Sequence, residues 1–141
     1  MMKSLYIVVI GCGRLGSILA SDLSQQGHQV VVIDRDKSAF TRLREEFSGF
    51  TVAGNVAEMN VLHQANLNKA RVAIAMTGND NLNITISQLA KIIFDVPIVL
   101  TRLQEPARAK IYQKLGLTII DSTQVSATAC LQALDRQLVG D

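Results

Sequence analysis

The chain has 141 residues, 48% of them hydrophobic but only 4% aromatic, with no Trp and a net charge of +2. That length fits one domain with an aliphatic core of the kind found in parallel sheets covered by helices on both faces. The positive charge is too mild and too scattered among acids to argue for nucleic acid, and no nucleic-acid partner is expected. No apolar run approaches the roughly 18 residues of a membrane span, and Met1 to Tyr6 is too short and mixed for a signal peptide.

Apolar runs alternate with helical patterns along the chain. Leu5–Ile10 predicts a first strand, and Arg14–Gln26 a helix with Leu15, Ile18, Leu19 and Leu23 on its buried face, closed by Gly27. Gln29–Asp34 predicts the second strand. The spacing of Phe40, Leu43 and Phe47 predicts a helix over Ser38–Phe47. A short third strand follows at Phe50–Ala53, then Gly54, Asn55 and a short helix over Val56–Ala65. Arg71–Met76 predicts the fourth strand, and Thr77-Gly78-Asn79-Asp80 leads into a long helix, Asn81–Phe94, buried through Leu82, Ile86, Leu89 and Ile93. Pro97–Arg102 predicts strand five, Glu105–Leu115 a helix stopped by Gly116, and Leu117–Ile120 strand six. Ser122 or Thr123 is placed to cap a last helix running to Leu138. This alternation predicts a doubly wound Rossmann-like fold, a parallel six-stranded sheet in the order 3-2-1-4-5-6 with helices on both faces.

The most informative motif is Gly11-x-Gly13-x-x-Gly16 between the first strand and its helix, with Asp34 closing the second strand about 20 residues on. One glycine makes the turn, one lets backbone approach a pyrophosphate, and one lets helix pack on strand. A pyrophosphate would sit at the helix N-terminus, where free N–H groups and the helix dipole favour negative charge. Asp34 would accept hydrogen bonds from an adenosine ribose. The structural alternative is a set of glycines serving only a tight turn.

Nothing in the chain reads as catalytic. His28 precedes strand two, at the edge away from the strand ends that bind ligands, and reads as a turn residue; His63, in a short helix, reads as packing. No Walker A lysine follows the glycines, and no nucleophile motif appears. Cys12 and Cys130 lie far apart without metal-ligand spacing and read as small apolar residues, although Cys12 stands inside the glycine loop. No metal site is expected.

Taken in order, Ile10-Gly-Cys-Gly-Arg14-Leu-Gly16, Val32-Ile-Asp34-Arg-Asp36, Gly54-Asn55-Val, Ala75-Met-Thr77-Gly-Asn-Asp80-Asn-Leu-Asn83, Thr101-Arg102 and Lys114-Leu-Gly116 form a longer signature. From about Leu5 to Asp121 the chain resembles the RCK N-terminal domain, also called TrkA-N or KTN, the cytoplasmic regulator of potassium channels and transporters. The resemblance implies a nucleotide site built from Gly11, Cys12, Gly13, Arg14, Leu15, Gly16, Asp34, Arg35, Asn55, Val56, Thr77, Gly78, Asn79, Asn83 and Arg102. Arg14 stands where similar domains place a phosphate-binding arginine, with a solvated helix-start residue as its bland alternative. A carboxylate at Asp34 disfavours the 2′-phosphate of NADP, while Arg35 is suited to stacking on adenine or meeting a phosphate. Asn55 and Val56 replace the family's usual Asp-Ala; Asn55 still accepts a hydrogen bond from the adenine amino group but without the charge. Thr77 and Gly78 follow strand four near the phosphates, and Asn79, Asp80 and Asn83 would cap the next helix or line the cleft, with helix capping alone the alternative for Asp80. Arg102 would meet a distal phosphate or a neighbouring subunit. Gln113 stands where some relatives carry a metal-binding glutamate, so that site is not expected.

The function expected is a regulatory subunit of potassium uptake that binds NAD(H) or ATP/ADP, has no enzymatic activity, and lies in the cytoplasm against the inner face of the membrane through its membrane partner. The expected organisation is one domain over 1–141 without a C-terminal ligand domain. Its last helix, with Ala127, Cys130, Leu131, Leu134 and Leu138 on one stripe, would cross to a partner in a homodimer or ring; packing on its own sheet is the alternative. A small NAD-dependent oxidoreductase, or the isolated nucleotide domain of a dehydrogenase, is the competing reading, and a redox sensor reporting to another kind of partner is a third.

Overall fold

A computed structural model describes residues 3–140. Six parallel strands form one sheet in the order β3-β2-β1-β4-β5-β6. They are β1 (Tyr6–Ile10), β2 (Gln29–Asp34), β3 (Phe50–Ala53), β4 (Val72–Ala75), β5 (Ile98–Leu103) and β6 (Thr118–Asp121). The sheet order is the one the alternation of patterns predicts. Between the strands lie α1 (Arg14–Gln25), α2 (Met59–Gln64), α3 (Asp80–Ile92) and α4 (Ala109–Lys114), and α5 (Ser122–Val139) follows β6 directly.

Side chains alternate across each strand, so β1 feeds two cores. Val8 and Ile10 join Val31, Ile33, Leu62, Leu67, Ile86 and Phe94 under α2 and α3. Ile7 and Val9 join Val30, Val32, Ile74 and Ala20 under α1. Each of these Val, Ile, Leu and Phe side chains contributes roughly 1.5–3 kcal/mol on full burial, so the central strands are the most strongly held part of the molecule. The carboxyl ends of β1, β2 and β4 meet at the crossover point, where the strand order reverses on either side of β1.

Several expectations are corrected. Ser38–Phe47 does not form a helix: a 3-10 segment covers Lys37–Arg42, and Leu43 is already extended at φ −67°, ψ 140°. The reason lies in α1, whose Ser21 Oγ accepts from Arg44 N at 3.1 Å and whose Ser24 Oγ accepts from Ser48 N at 3.1 Å. Those bonds hold the segment stretched along α1, and Phe40, Leu43 and Phe47 still pack on the α1 core. Ile18 is 55% exposed, because the face α1 turns to the sheet is its small residues Gly16, Ser17, Ala20, Ser21 and Ser24. Leu15, Leu19 and Leu23 flank that face. Ile93 is 57% exposed because α3 ends at Ile92 and Phe94 takes the buried position. The helix expected over Val56–Ala65 is confined to Met59–Gln64. Asp121, rather than Ser122 or Thr123, caps the last helix, its Oδ1 accepting from Gln124 N at 2.9 Å.

Candidate functional site

Two of the three glycines in the loop, Gly11 and Gly16, are fixed by contacts no other residue type satisfies. Gly11 has φ +103°, and a Cβ there would press on the Met76–Thr77 peptide. A Cβ at Gly16 would overlap the Gly11 carbonyl oxygen, so only glycine lets α1 start this close to β1. Gly13 has open space beside it and is the N-cap of α1, which no side chain caps. The first-turn N–H groups of α1 are therefore left open where Gly13, Arg14 and Leu15 border a cleft.

That cleft, about 670 Å³, runs across the carboxyl ends of the strands. Gly11, Gly13, Arg14 and Leu15 form one wall, Asp34 and Arg35 extend β2, Asn55 and Val56 follow β3, and Thr77, Gly78 and Arg102 close the far side. Ile33, Gly54, Met76, Leu82 and Gln104 also line it and were not among the expected residues. Gly54 was visible in the Gly54-Asn55 motif and Met76 and Leu82 in the segment around Thr77; Gln104 was signalled only by its two-residue spacing from Arg102.

Asp34 is held in place before any ligand arrives. Its Oδ2 accepts from Cys12 N at 2.7 Å and its Oδ1 from Asp36 N at 2.8 Å. A carboxylate has about four lone-pair sites, so acceptor capacity remains towards the cleft. Asn55 Oδ1 accepts from Ala57 N at 2.9 Å in a local turn. Arg14 and Arg35 are exposed at the rim, and Arg102 is half-buried, its Nε donating to Ser122 Oγ at 3.0 Å. Three guanidinium groups and one carboxylate therefore stand around an uncapped helix N-terminus, an arrangement suited to a phosphate-bearing ligand with a hydroxyl-rich portion at Asp34.

Four expected residues stand behind the lining. Cys12 is fully buried, its Sγ donating to Ala39 O at 3.4 Å, and burial, then the Asp34 charge, push its thiol pKa up against a smaller lowering by Arg42. Gly16 is buried against the loop. Asn79 caps α3, its side chain accepting from Leu82 N at 2.9 Å. Asn83 is fully buried: Oδ1 accepts from Thr77 N at 3.0 Å and Thr77 Oγ1 at 2.6 Å, while Nδ2 donates to Thr77 O and Arg102 O, each at 3.0 Å. Asn83 thus ties the β4 loop to the end of β5 and sets the far wall of the cleft. Asp80, for which helix capping was an alternative, instead accepts from Gln104 N at 2.9 Å and Glu105 N at 3.0 Å, fixing the loop after β5.

His28 lies at the opposite strand edge, buried, its Nδ1 accepting from Leu5 N at 3.1 Å. His63 is exposed with its ring 5.2 Å from that of Phe94. Among the described residues no group of His, Cys, Asp or Glu has the geometry of a metal site, and no helix is long and apolar enough to cross a membrane.

Known proteins agree with this architecture. The Trk system potassium uptake protein TrkA of Streptomyces coelicolor is 39% identical over 130 residues, 92% of this chain and 58% of that protein. A TrkA homolog of Pyrococcus horikoshii is 32% identical over 109 residues, 77% of this chain and 48% of its own length. The chain therefore spans about half the length of the curated relatives it matches. The crystal structure of the TrkA-N domain of inner membrane protein ybaL from Escherichia coli superposes with a TM-score of 0.82 at 21% identity, covering 95% of this chain and 99% of that one. GsuK bound to ADP superposes with a TM-score of 0.80 at 21% identity over 94% of this chain and 34% of that one. The GsuK channel bound to NAD gives 0.68 at 21% identity over 84% and 21%. At these identities the superpositions establish the fold. The profile of the TrkA-N domain matches residues 7–123, and the chain belongs to that family.

Proposed function

We propose that this chain is the nucleotide-sensing part of a regulatory subunit that controls potassium transport, and that its cleft takes an adenine nucleotide, NAD(H) or ATP/ADP. The observation that carries the reading is the uncapped start of α1 between Arg14 and Arg102, with the Asp34 carboxylate held at the end of β2. The phosphates lie at the helix start, and the ribose hydroxyls donate to Asp34. The names of the relatives, potassium uptake proteins, support the transport role, and GsuK carries ADP or NAD on a similar fold.

A regulator needs a mechanical output. The exposed stripe of Leu131, Leu134 and Leu138 on α5 supports association into a homodimer or ring that meets a membrane potassium channel or transporter subunit from the cytoplasmic side. Nucleotide then acts through its different affinity for two assembly states, because tight binding to both would shift nothing.

Calorimetry with NAD, NADH, ATP and ADP tests the reading. Asp34→Ala weakens every ribose-bearing ligand by about tenfold or more, the worth of hydrogen bonds to a charged acceptor. Arg14→Ala weakens ligands in proportion to their phosphates and leaves adenosine unaffected. Failure of all four nucleotides to bind the unaltered chain overturns the proposal.

A further inference from the structure

The far wall of the cleft and the last helix share hydrogen bonds. Arg102 Nε donates to Ser122 Oγ at 3.0 Å, and Thr123 Oγ1 donates to the Gln104 carbonyl at 2.7 Å. Arg102 and Gln104 line the cleft; Ser122 and Thr123 do not, and they form the first turn of α5. From Thr123 onward every described residue of α5 is exposed, and no loop separates the helix from β6. The direction of α5 is therefore set by its first turn, where Asp121 caps Gln124 N and the two hydroxyls grip the end of β5.

We propose that Ser122 is a positioning residue for Arg102, so that occupancy of the cleft and the setting of α5 reinforce one another. The inference rests on the nucleotide reading of the cleft. A guanidinium is planar, so fixing Nε fixes where both Nη groups point. Those Nη groups have no hydrogen-bond partner among the described residues, while the Arg102 backbone is held by Asn83. A phosphate taken by the Nη pair meets an arginine that has already lost its rotamer freedom. It leaves the Nε–Ser122 bond intact and stiffens the start of α5. Reciprocity then requires that whatever holds α5 in this setting also raises nucleotide affinity.

The test is ATP affinity by calorimetry across Ser122→Ala, Ser122→Thr, Arg102→Ala and the double variant Ser122→Ala/Arg102→Ala. Hydrogen exchange of the α5 first turn, with and without ATP, accompanies it. Ser122→Ala weakens ATP by about three- to tenfold, the range of one hydrogen bond. Ser122→Thr keeps the hydroxyl and restores affinity, and Ser122→Ala adds nothing once Arg102 is gone. ATP slows exchange at the start of α5 in the unaltered chain and not in Ser122→Ala. If ATP binds the unaltered chain and Ser122→Ala binds it equally well, or Ser122→Ala costs the same without Arg102, the inference fails while the nucleotide reading stands. If the unaltered chain binds no nucleotide, both fall.

Discussion

Helices α1 and α5 look alike in sequence, α1 with leucines four apart and α5 with leucines three and four apart, and they are opposite in the fold. α1 presses Gly16, Ser17, Ala20, Ser21 and Ser24 on the sheet and shields their edges with Leu15, Leu19 and Leu23. α5 buries nothing; Leu131 and Leu134 are 62% and 54% exposed. An apolar stripe states that something must cover it, and only the small residues of α1 state that the cover is the chain's own sheet. Closeness is what small residues provide, and the cleft depends on it, because the start of α1 is one of its walls.

The strongest way to break the comparison is Gly16→Ala. The added methyl overlaps the Gly11 carbonyl oxygen, a backbone atom that cannot swing aside. The expected loss is about 3 kcal/mol, at the upper end of overpacking costs, read as a lowered midpoint in urea. Nucleotide affinity falls with it, since α1 can relieve the overlap only by moving off the glycine loop. A variant as stable as the unaltered protein would mean that α1 tolerates a looser seat than its geometry shows.

How much of this was legible in sequence follows from the same contrast. The strands were legible because four central ones are nearly continuous apolar runs, and the sheet order followed from their alternation with helical segments. The glycine loop and Asp34 were legible because their spacing is dictated by backbone contacts. Ser38–Phe47 was misread because periodicity reports which side chains are apolar and not where backbone N–H groups find acceptors. Ser21 and Ser24 capture two of those groups from another element, and no local pattern reveals it. For the same reason sequence points to Asn83 as a ligand contact, although its amide is consumed by Thr77 and Arg102. Gln104 is hard to see in sequence because its place in the cleft depends on Asp80 holding the loop after β5, a contact 24 residues apart in sequence.

A matched pair of substitutions sharpens the comparison at intermediate cost. Leu19→Gln places an amide among the α1 core residues and destabilises by about 2 kcal/mol, the low end for losing a packed leucine. Leu131→Gln exchanges one good helix former for another on an exposed face, and the protomer unfolds within about 0.5 kcal/mol of the unaltered chain. Light scattering supplies the second half of the test. If a second copy covers α5, Leu131→Gln combined with Leu134→Gln lowers the assembly mass while the circular dichroism spectrum stays unchanged. Equal stability losses in α1 and α5 would show that α5 packs on its own sheet in solution.

The smallest effect comes from the two cysteines, which report on the two regions separately. Cys12 is buried where the glycine loop meets α1, and Cys130 is exposed on α5. A maleimide reagent therefore modifies Cys130 in the native protein and reaches Cys12 only on unfolding, and modification of Cys130 that slows as protein concentration rises marks association through α5. Burial, and next the Asp34 charge, raise the Cys12 thiol pKa in the folded state. A raised folded value means that the native protein holds its proton at a pH where the unfolded chain releases it. The associated stability is complete below the unfolded thiol value of about 8.5 and is lost as pH climbs through the folded value. Cys12→Ala removes this alkaline loss and leaves the profile flatter above pH about 8.5, whereas Cys130→Ala leaves it unchanged. Identical alkaline profiles for the unaltered chain and Cys12→Ala would mean that the thiol is solvated in solution, and that the loop at the start of α1 is looser than the Cys12 N to Asp34 bond implies.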